Sequence, residues 1–319
     1  MPQLHIHARS VSLWREMHFV NGRAGRMLGR VDTPIRQRTA TARASGVALM
    51  LTSSLSSQTG AALGSLAFGV IGPVGVVAVR QWVAGVVLLA VGRPRLRSFT
   101  RQQWWPVLGL AAVFATMNVS LYAAIDRIGL GLAVTLEFLG PLTVAVAGAR
   151  RHVTLGCAAL AAAGVVVLTR PQPSSDHLGI ALGLLAALCW ATYILLNRTV
   201  GRRLPGLEGS AAAGAVSGLG YVPVGIGVLV AHPPTPAALA CAAAAGLLSS
   251  AVPFLADLLA LRRVPAHVFG LFMSVSPVFA AGIGALALGE VLAALDWLGI
   301  ALVVTANTVA VLVAARTGR

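Results

Sequence analysis

The sequence predicts an all-α integral membrane protein of ten transmembrane helices arranged as a 5+5 inverted repeat. Three observations carry that prediction. First, the apolar residues come in blocks of about 20, the length at which a helix crosses a bilayer core, in a chain of 319 residues that is 57% hydrophobic and only 10% charged, with a mean hydropathy of +0.84. A soluble domain would carry roughly a quarter charged residues, and an open sheet in lipid would leave backbone groups unpaired. Second, arginines alternate between loops. Third, AIDRIGLGLAVTLEFLGP (124–141) and ALRRVPAHVFGLFMSVSP (260–277) share one pattern.

Taken in order, the predicted spans are 47–69, 73–91, 104–125, 130–149, 153–169, 178–198, 209–231, 237–261, 266–289 and 292–315. Turn chemistry separates them: GPVG near 72, GRPRLRS near 92, RPQPSSD near 170, RRLPG near 202 and HPPTP near 232. Residues 1–46 are polar and hold eight arginines without the apolar region of a signal peptide. They read as a disordered, basic cytosolic tail, with Met17 and Met27 as alternative starts.

Arginine placement orients the spans. With the N-terminus inside, 21 arginines fall on inside segments and only Arg127 and Arg170 on outside loops, while Arg80 lies within a span. Both termini are then cytoplasmic. The net charge of +15, supplied entirely by arginine, serves as a topology anchor and calls for no nucleic acid. The two stretches at 124–141 and 260–277 are offset by 136 residues without a gap. The first begins outside and the second inside, so residues 47–169 and 178–315 read as two five-helix repeats of opposite orientation, an architecture of many secondary transporters.

Several function classes lack their residues. Cys157, Cys189 and Cys241 lie in different spans at no metal-type spacing, so neither a disulfide framework nor a zinc site is indicated. All seven histidines lie in the tail, in loops or at span ends, and no HExxH, GxSxG or Walker motif occurs. A membrane-embedded enzyme is therefore only a remote alternative, the absent Walker motif argues against an ATP-driven pump, and no cofactor is expected.

The spans do carry polar residues that lipid would reject. Of the nine acids only Glu137 and Asp257 fall well inside a span. Such residues usually face a cavity or a partner. Glu137 is seven residues from the outer end of its helix, roughly 10 Å deep at 1.5 Å per residue. Arg80 lies at the same depth and is its candidate ion-pair partner. Glu137 thus has two readings: a structural acid tied to Arg80 or a helix end, or a site acid for a substrate amine or a proton. Pro141 would clash with the Glu137 carbonyl and free it. Asn118 and Tyr122, spaced i, i+4, match that depth, and Gln58 is central in span one. Trp190 and Tyr193 form an aromatic cavity wall or an interfacial belt. Ser274 and Ser276 precede Pro277. Asp257 reads either as a coupling acid or as a solvated one near the inner end. Gly214 and Gly218 read as close helix packing, and Glu290 as a helix-end contact.

The stretches SSQTGAALGSLAFGVIGPVGVVAVRQW (56–82), MNVSLYAAIDRIGLGLAVTLEFLGPLTVA (117–145), ALCWATYILLNR (187–198), LLSSAVPFLADLLALRRVPAHVFGLFMSVSPVFAA (247–281) and LGEVL (288–292) carry a resemblance. Over about residues 47–312 the chain resembles the EamA family of the drug/metabolite transporter superfamily, and within it the threonine/homoserine exporter branch. The resemblance implies ten helices around a central cavity in the bacterial inner membrane, exporting small metabolites by alternating access. Amino acids are the first expectation and another metabolite or drug the alternative; proton coupling and a homodimer stay open. Where family members often have Glu directly before the proline of the ninth helix, this chain has Ser276, so an acid in both halves does not carry over.

Overall fold

The computed structural model describes residues 45–147, 151–169, 176–204, 207–261 and 273–317, and every regular element among them is helical. The basic tail therefore lies outside the described residues, as does the side chain of Asp257. In chain order the helices are α1 (45–65), α2 (Phe68–Gly92), α3 (Arg101–Ile128), α4 (Leu130–Glu137), α5 (Leu139–Ala147) and α6 (Arg151–Thr169). There follow α7 (His177–Arg203), α8 (Glu208–Ala231), α9 (Pro236–Gly246), α10 (Val252–Leu261), α11 (Ser276–Leu288) and α12 (Ala294–Thr317). The helices α2, α3, α7, α8 and most of α12 are long and apolar enough to cross a membrane, by length and composition.

Local chemistry sets the ends. Thr100 and Gln103 close a capping box on α3, Asp176 accepts from the Gly179 N–H at 2.8 Å to start α7, and Thr235 with Pro236 starts α9. The turn between the first two helices sits at Leu66–Ala67, not at the Gly72–Pro73 pair that the sequence favours. Gly72 instead adopts φ +67° and kinks α2 after its first turn, relieving the clash that Pro73 would cause in a straight helix.

Packing is pairwise. α3 lies along α7, α2 along α8, α6 along α12, and α4 crosses α11. Small residues allow the close approach. A Cβ at Gly85 would stand 3.3 Å from the Gly214 carbonyl, and one at Gly131 would stand 3.0 Å from the Ala281 Cα. The same α2–α8 seam holds a buried hydrogen bond from Gln81 Nε2 to Ser217 Oγ at 2.9 Å, a bond type that ties helices together in lipid.

Three breaks interrupt the helical rods. α4 stops at Glu137 and α5 restarts at Leu139, so Phe138 is a turn residue just before Pro141. A π-helical segment, Leu247–Ala251, separates α9 from α10 and precedes Pro253. Ser274 and Val275 form a turn ahead of Ser276–Pro277. All three border one cavity. Irregular backbone at membrane depth is tolerated only where protein or a water-filled cavity covers it.

Candidate functional site

The cavity has a volume of about 260 Å³ and lies among α1, α2, α3, α4, α7, α8, the π segment and the start of α11. Glu137, Asn118, Tyr122, Gln58, Trp190, Tyr193, Ser276 and Arg80 all line it. Ser274 does not; it is 3% exposed and turned into the protein. Serine's place next to a helix break makes it equally suited to satisfying local backbone, which spacing alone does not resolve.

Arg80 is 7% exposed and is held by the π segment. Its Nε donates to Ser250 Oγ at 3.1 Å and its Nη2 to the Ser249 carbonyl at 3.3 Å. A π turn widens the helix and offers carbonyls that a regular α-helix would use. The guanidinium carbon stands 4.9 Å from the centre of the Tyr122 ring, a cation–π contact. Two donors are left over: Arg80 Nη1 and Tyr122 OH are buried without a hydrogen-bond partner among the described residues.

Glu137 ends α4 and is 7% exposed. The expected ion pair with Arg80 is not formed. No salt bridge joins the two among the described residues, and Arg80 spends its donors on the π segment. The carboxylate has no hydrogen bond among the described residues either, although Arg80 lines the same cavity. A buried charge is normally paired, so Glu137 is an acceptor without a protein donor, on a cavity that Arg80, which keeps a buried donor to spare, also lines.

The remaining walls differ in character. Trp190 meets Phe138 edge-on at 4.6 Å, and Tyr193 lies beside Phe114 at 6.1 Å, giving one aromatic wall. The α1 wall is polar: Ser53, Ser54, Ser57 and Gln58. Ser54 Oγ pairs with Ser276 Oγ at 2.9 Å, so the hydroxyl that stands before Pro277 is already engaged with α1. Asn118 gives its amide N–H to the Phe114 carbonyl at 2.7 Å and turns its oxygen free. The serines of α1 and the Ser249–Ser250 pair are site residues that the sequence does not mark as such. In a membrane helix, serine reads first as packing, and only the shared polarity of 53, 54, 57 and 58 distinguishes them.

One acid outside the cavity completes the geometry. Glu290 accepts from the Leu130 N–H at 2.5 Å and the Gly131 N–H at 3.3 Å, capping α4 across 160 residues of chain. Gly129, at φ +82°, makes room, since a Cβ there would stand 3.0 Å from the carboxylate. The helix-end reading of Glu290 holds, with the end belonging to the opposite half of the chain.

Comparison with known proteins gives consistent results. The model of the EamA-like transporter family matches residues 177–312. The chain is 33% identical over 268 residues to the threonine/homoserine exporter RhtA of Escherichia coli K12, covering 82% of this chain and 89% of that protein. It is 32% identical over 267 residues to the protein of the same name from Salmonella typhimurium LT2, with the same coverage. A solved crystal structure aligns with a TM-score of 0.59 at 19% identity, covering 86% of this chain and 99% of that one, and supports the fold alone.

Proposed function

The chain belongs to the EamA-like transporter family, in the branch of the threonine/homoserine exporters, and from that premise we propose that it exports small amino acids of the threonine/homoserine kind through the cavity around Glu137. It is a membrane transporter and not an enzyme. The observation that carries the substrate reading is the complementary pair of unsatisfied groups. A zwitterion brings an ammonium group for the Glu137 carboxylate and a carboxylate for Arg80 Nη1 and Tyr122 OH. Charge-assisted hydrogen bonds of this kind are the strong ones, more so in a low-dielectric site. The cavity, at about 260 Å³, falls just under the ~300–1,000 Å³ of pockets for drug-sized ligands, which favours a small metabolite.

The transport cycle follows from charge. Glu137 bare and ionised at this depth is unfavourable, so it is occupied either by the substrate ammonium or by a proton, and exchange of one for the other couples the two fluxes. The cavity walls include Leu88, Leu110, Ser210, Ala213 and Gly214, from the ends of α2, α3 and α8 nearest the arginines at 93–101 and 202–203. Under the positive-inside rule that end is cytoplasmic, so this conformation loads substrate from inside. The other end is filled by the largest buried cluster, including Ile71, Val76, Ile125 and Leu130.

The inverted repeat is part of the same proposal. Its support is that α2–α8, α4–α11 and α6–α12, which pair equivalent spans of residues 47–169 and 178–315, each pack against one another. Pro141 and Pro277 each follow a helix break at the cavity. Counterflow in proteoliposomes with labelled threonine and homoserine, with and without a pH gradient, tests the function. Saturable exchange that Glu137→Gln abolishes is the expected result; absence of any amino acid exchange by the wild type overturns it.

A further inference from the structure

We propose that the α1 wall, with Ser57 and Gln58 at its centre and Ser53 beside them, is the subsite for the substrate side chain, and that it selects a hydroxyl-bearing side chain over an apolar one of the same shape. The proposal rests on the amino acid reading of the cavity and assigns the part of the molecule which that reading leaves open. With the ammonium on Glu137 and the carboxylate on Arg80 and Tyr122, the side chain is left to face either the aromatic wall or α1.

The hydrogen bonds decide between them. Among the polar side chains of α1, Ser54 is engaged with Ser276, and Ser56 donates to the Leu248 carbonyl at 2.8 Å. Ser53, Ser57 and Gln58 line the cavity and have no side-chain partner among the described residues. Ser53 and Gln58 are buried and Ser57 half-buried, so their polar groups open only onto the cavity and depend on what fills it. A hydroxyl or amide that a bound substrate strips of water without offering a partner is unfavourable, and an apolar side chain laid against it has that effect. A side-chain hydroxyl, both donor and acceptor, satisfies it. The aromatic wall offers chiefly ring surface, and the indole N–H of Trp190 donates without accepting.

The wall is also rigidly placed. Ser249 Oγ donates to the Ser57 carbonyl at 2.7 Å, and Gly60 faces Ser249 so closely that a Cβ there would stand 2.8 Å from its backbone nitrogen. Gly64 packs against the Tyr122 ring, where a Cβ would stand 3.0 Å from Cε1. Ser249 in turn accepts from Arg80 through its own carbonyl. One residue of the π segment thus fixes both the carboxylate-binding guanidinium and Ser57. A site built to pair a hydroxyl rejects the analogue lacking it far better than an apolar pocket rejects an extra one.

The test compares threonine with valine, which replaces the hydroxyl by a methyl, in proteoliposome exchange. Wild type is expected to favour threonine by at least about tenfold in kcat/KM, the factor of one lost hydrogen bond. Ser57→Ala combined with Gln58→Leu is expected to bring the ratio close to one, by weakening threonine and sparing valine. Retained valine exchange shows that the variant is folded, and Ser57→Thr, which keeps the hydroxyl, is expected to keep the preference. A wild type indifferent to the hydroxyl, or variants that lose both substrates in proportion, overturns the assignment to α1 while leaving amino acid transport standing. No exchange of either amino acid by the wild type overturns the underlying function instead.

Discussion

The short helix α4 has a glutamate at each end, and the two are treated in opposite ways. At its start, Glu290 from the opposite half accepts two backbone N–H groups. At its finish, Glu137 accepts nothing among the described residues and faces the cavity that Arg80 also lines. The first is a satisfied charge: helix N-terminal donors and the helix dipole both favour it. The second is a charge that the protein has left for something else to satisfy. In an apolar molecule the number of acids says little, and the number of donors around each acid separates architecture from function.

The largest expected effect comes from removing the unsatisfied one. Glu137→Gln keeps shape and loses charge, so transport is expected to fall by two orders of magnitude or more, as loss of a charge-assisted contact of about 3 kcal/mol implies. Thermal stability in detergent is expected to hold or rise, because an unpaired buried charge is removed. Counterflow and a melting curve on the same preparation measure both. Unchanged transport, or a clear loss of stability, would erase the contrast with Glu290.

Much of this contrast could be read from the sequence. Glu137 stands out as a lone acid seven residues into a 20-residue apolar run, and Asn118, Tyr122 and Arg80 follow from matching depth. What could not be read is whom each group contacts. Matching depth makes Glu137 the candidate partner of Arg80, whereas its acceptors, Ser249 and Ser250, are presented by a π turn that has no periodicity signature beyond the nearby Pro253. The position of the first turn was displaced for a similar reason: Gly72–Pro73 is the stronger turn signal, but it kinks α2 instead of ending a helix. Glu290 was recognisable as a helix-end residue, while its helix lies 160 residues away and only tertiary packing names it.

Next in size is Arg80. Arg80→Lys keeps the charge but replaces a planar fork with one ammonium group, which cannot hold Ser249, Ser250 and a substrate carboxylate together. The expected outcome is a KM for threonine raised by about tenfold with a smaller change in kcat. A variant with unaltered KM would mean that the free Nη1 is not part of the binding surface, and Glu137 would then stand alone.

A smaller effect, and of the other kind, is expected at Glu290. Glu290→Ala strips two charge-assisted bonds from the start of α4 and is expected to destabilise the protein by about 1–3 kcal/mol. Glu290→Gln, which retains one acceptor oxygen, is expected to lose less. Substrate KM is expected to stay put in whatever fraction remains folded. If KM moved with Glu290 as much as with Glu137, α4 would be transmitting strain from one end to the other and the two acids would have to be treated as one device.

The smallest effect is expected where a carboxylate is satisfied but wet. Asp176 caps α7 through the Gly179 N–H and meets Arg127 at 2.9 Å. The Gly179 N–H, seconded by Arg127, holds its carboxyl below the usual aspartate range. A depressed folded-state pKa means that the stabilisation is complete above the unfolded value, about 3.9, and is lost as pH falls through the folded one. Asp176→Asn, itself a competent cap, is therefore expected to leave the melting temperature nearly unchanged at pH 7. It is also expected to flatten slightly the acid side of the stability curve below pH 4. Exposed pairs are screened and contribute little, so a loss at pH 7 comparable to that of Glu290→Ala would mean that solvent is excluded from this loop. The scale of satisfaction running from Glu137 through Glu290 to Asp176 would then have to be redrawn by depth instead of by donors.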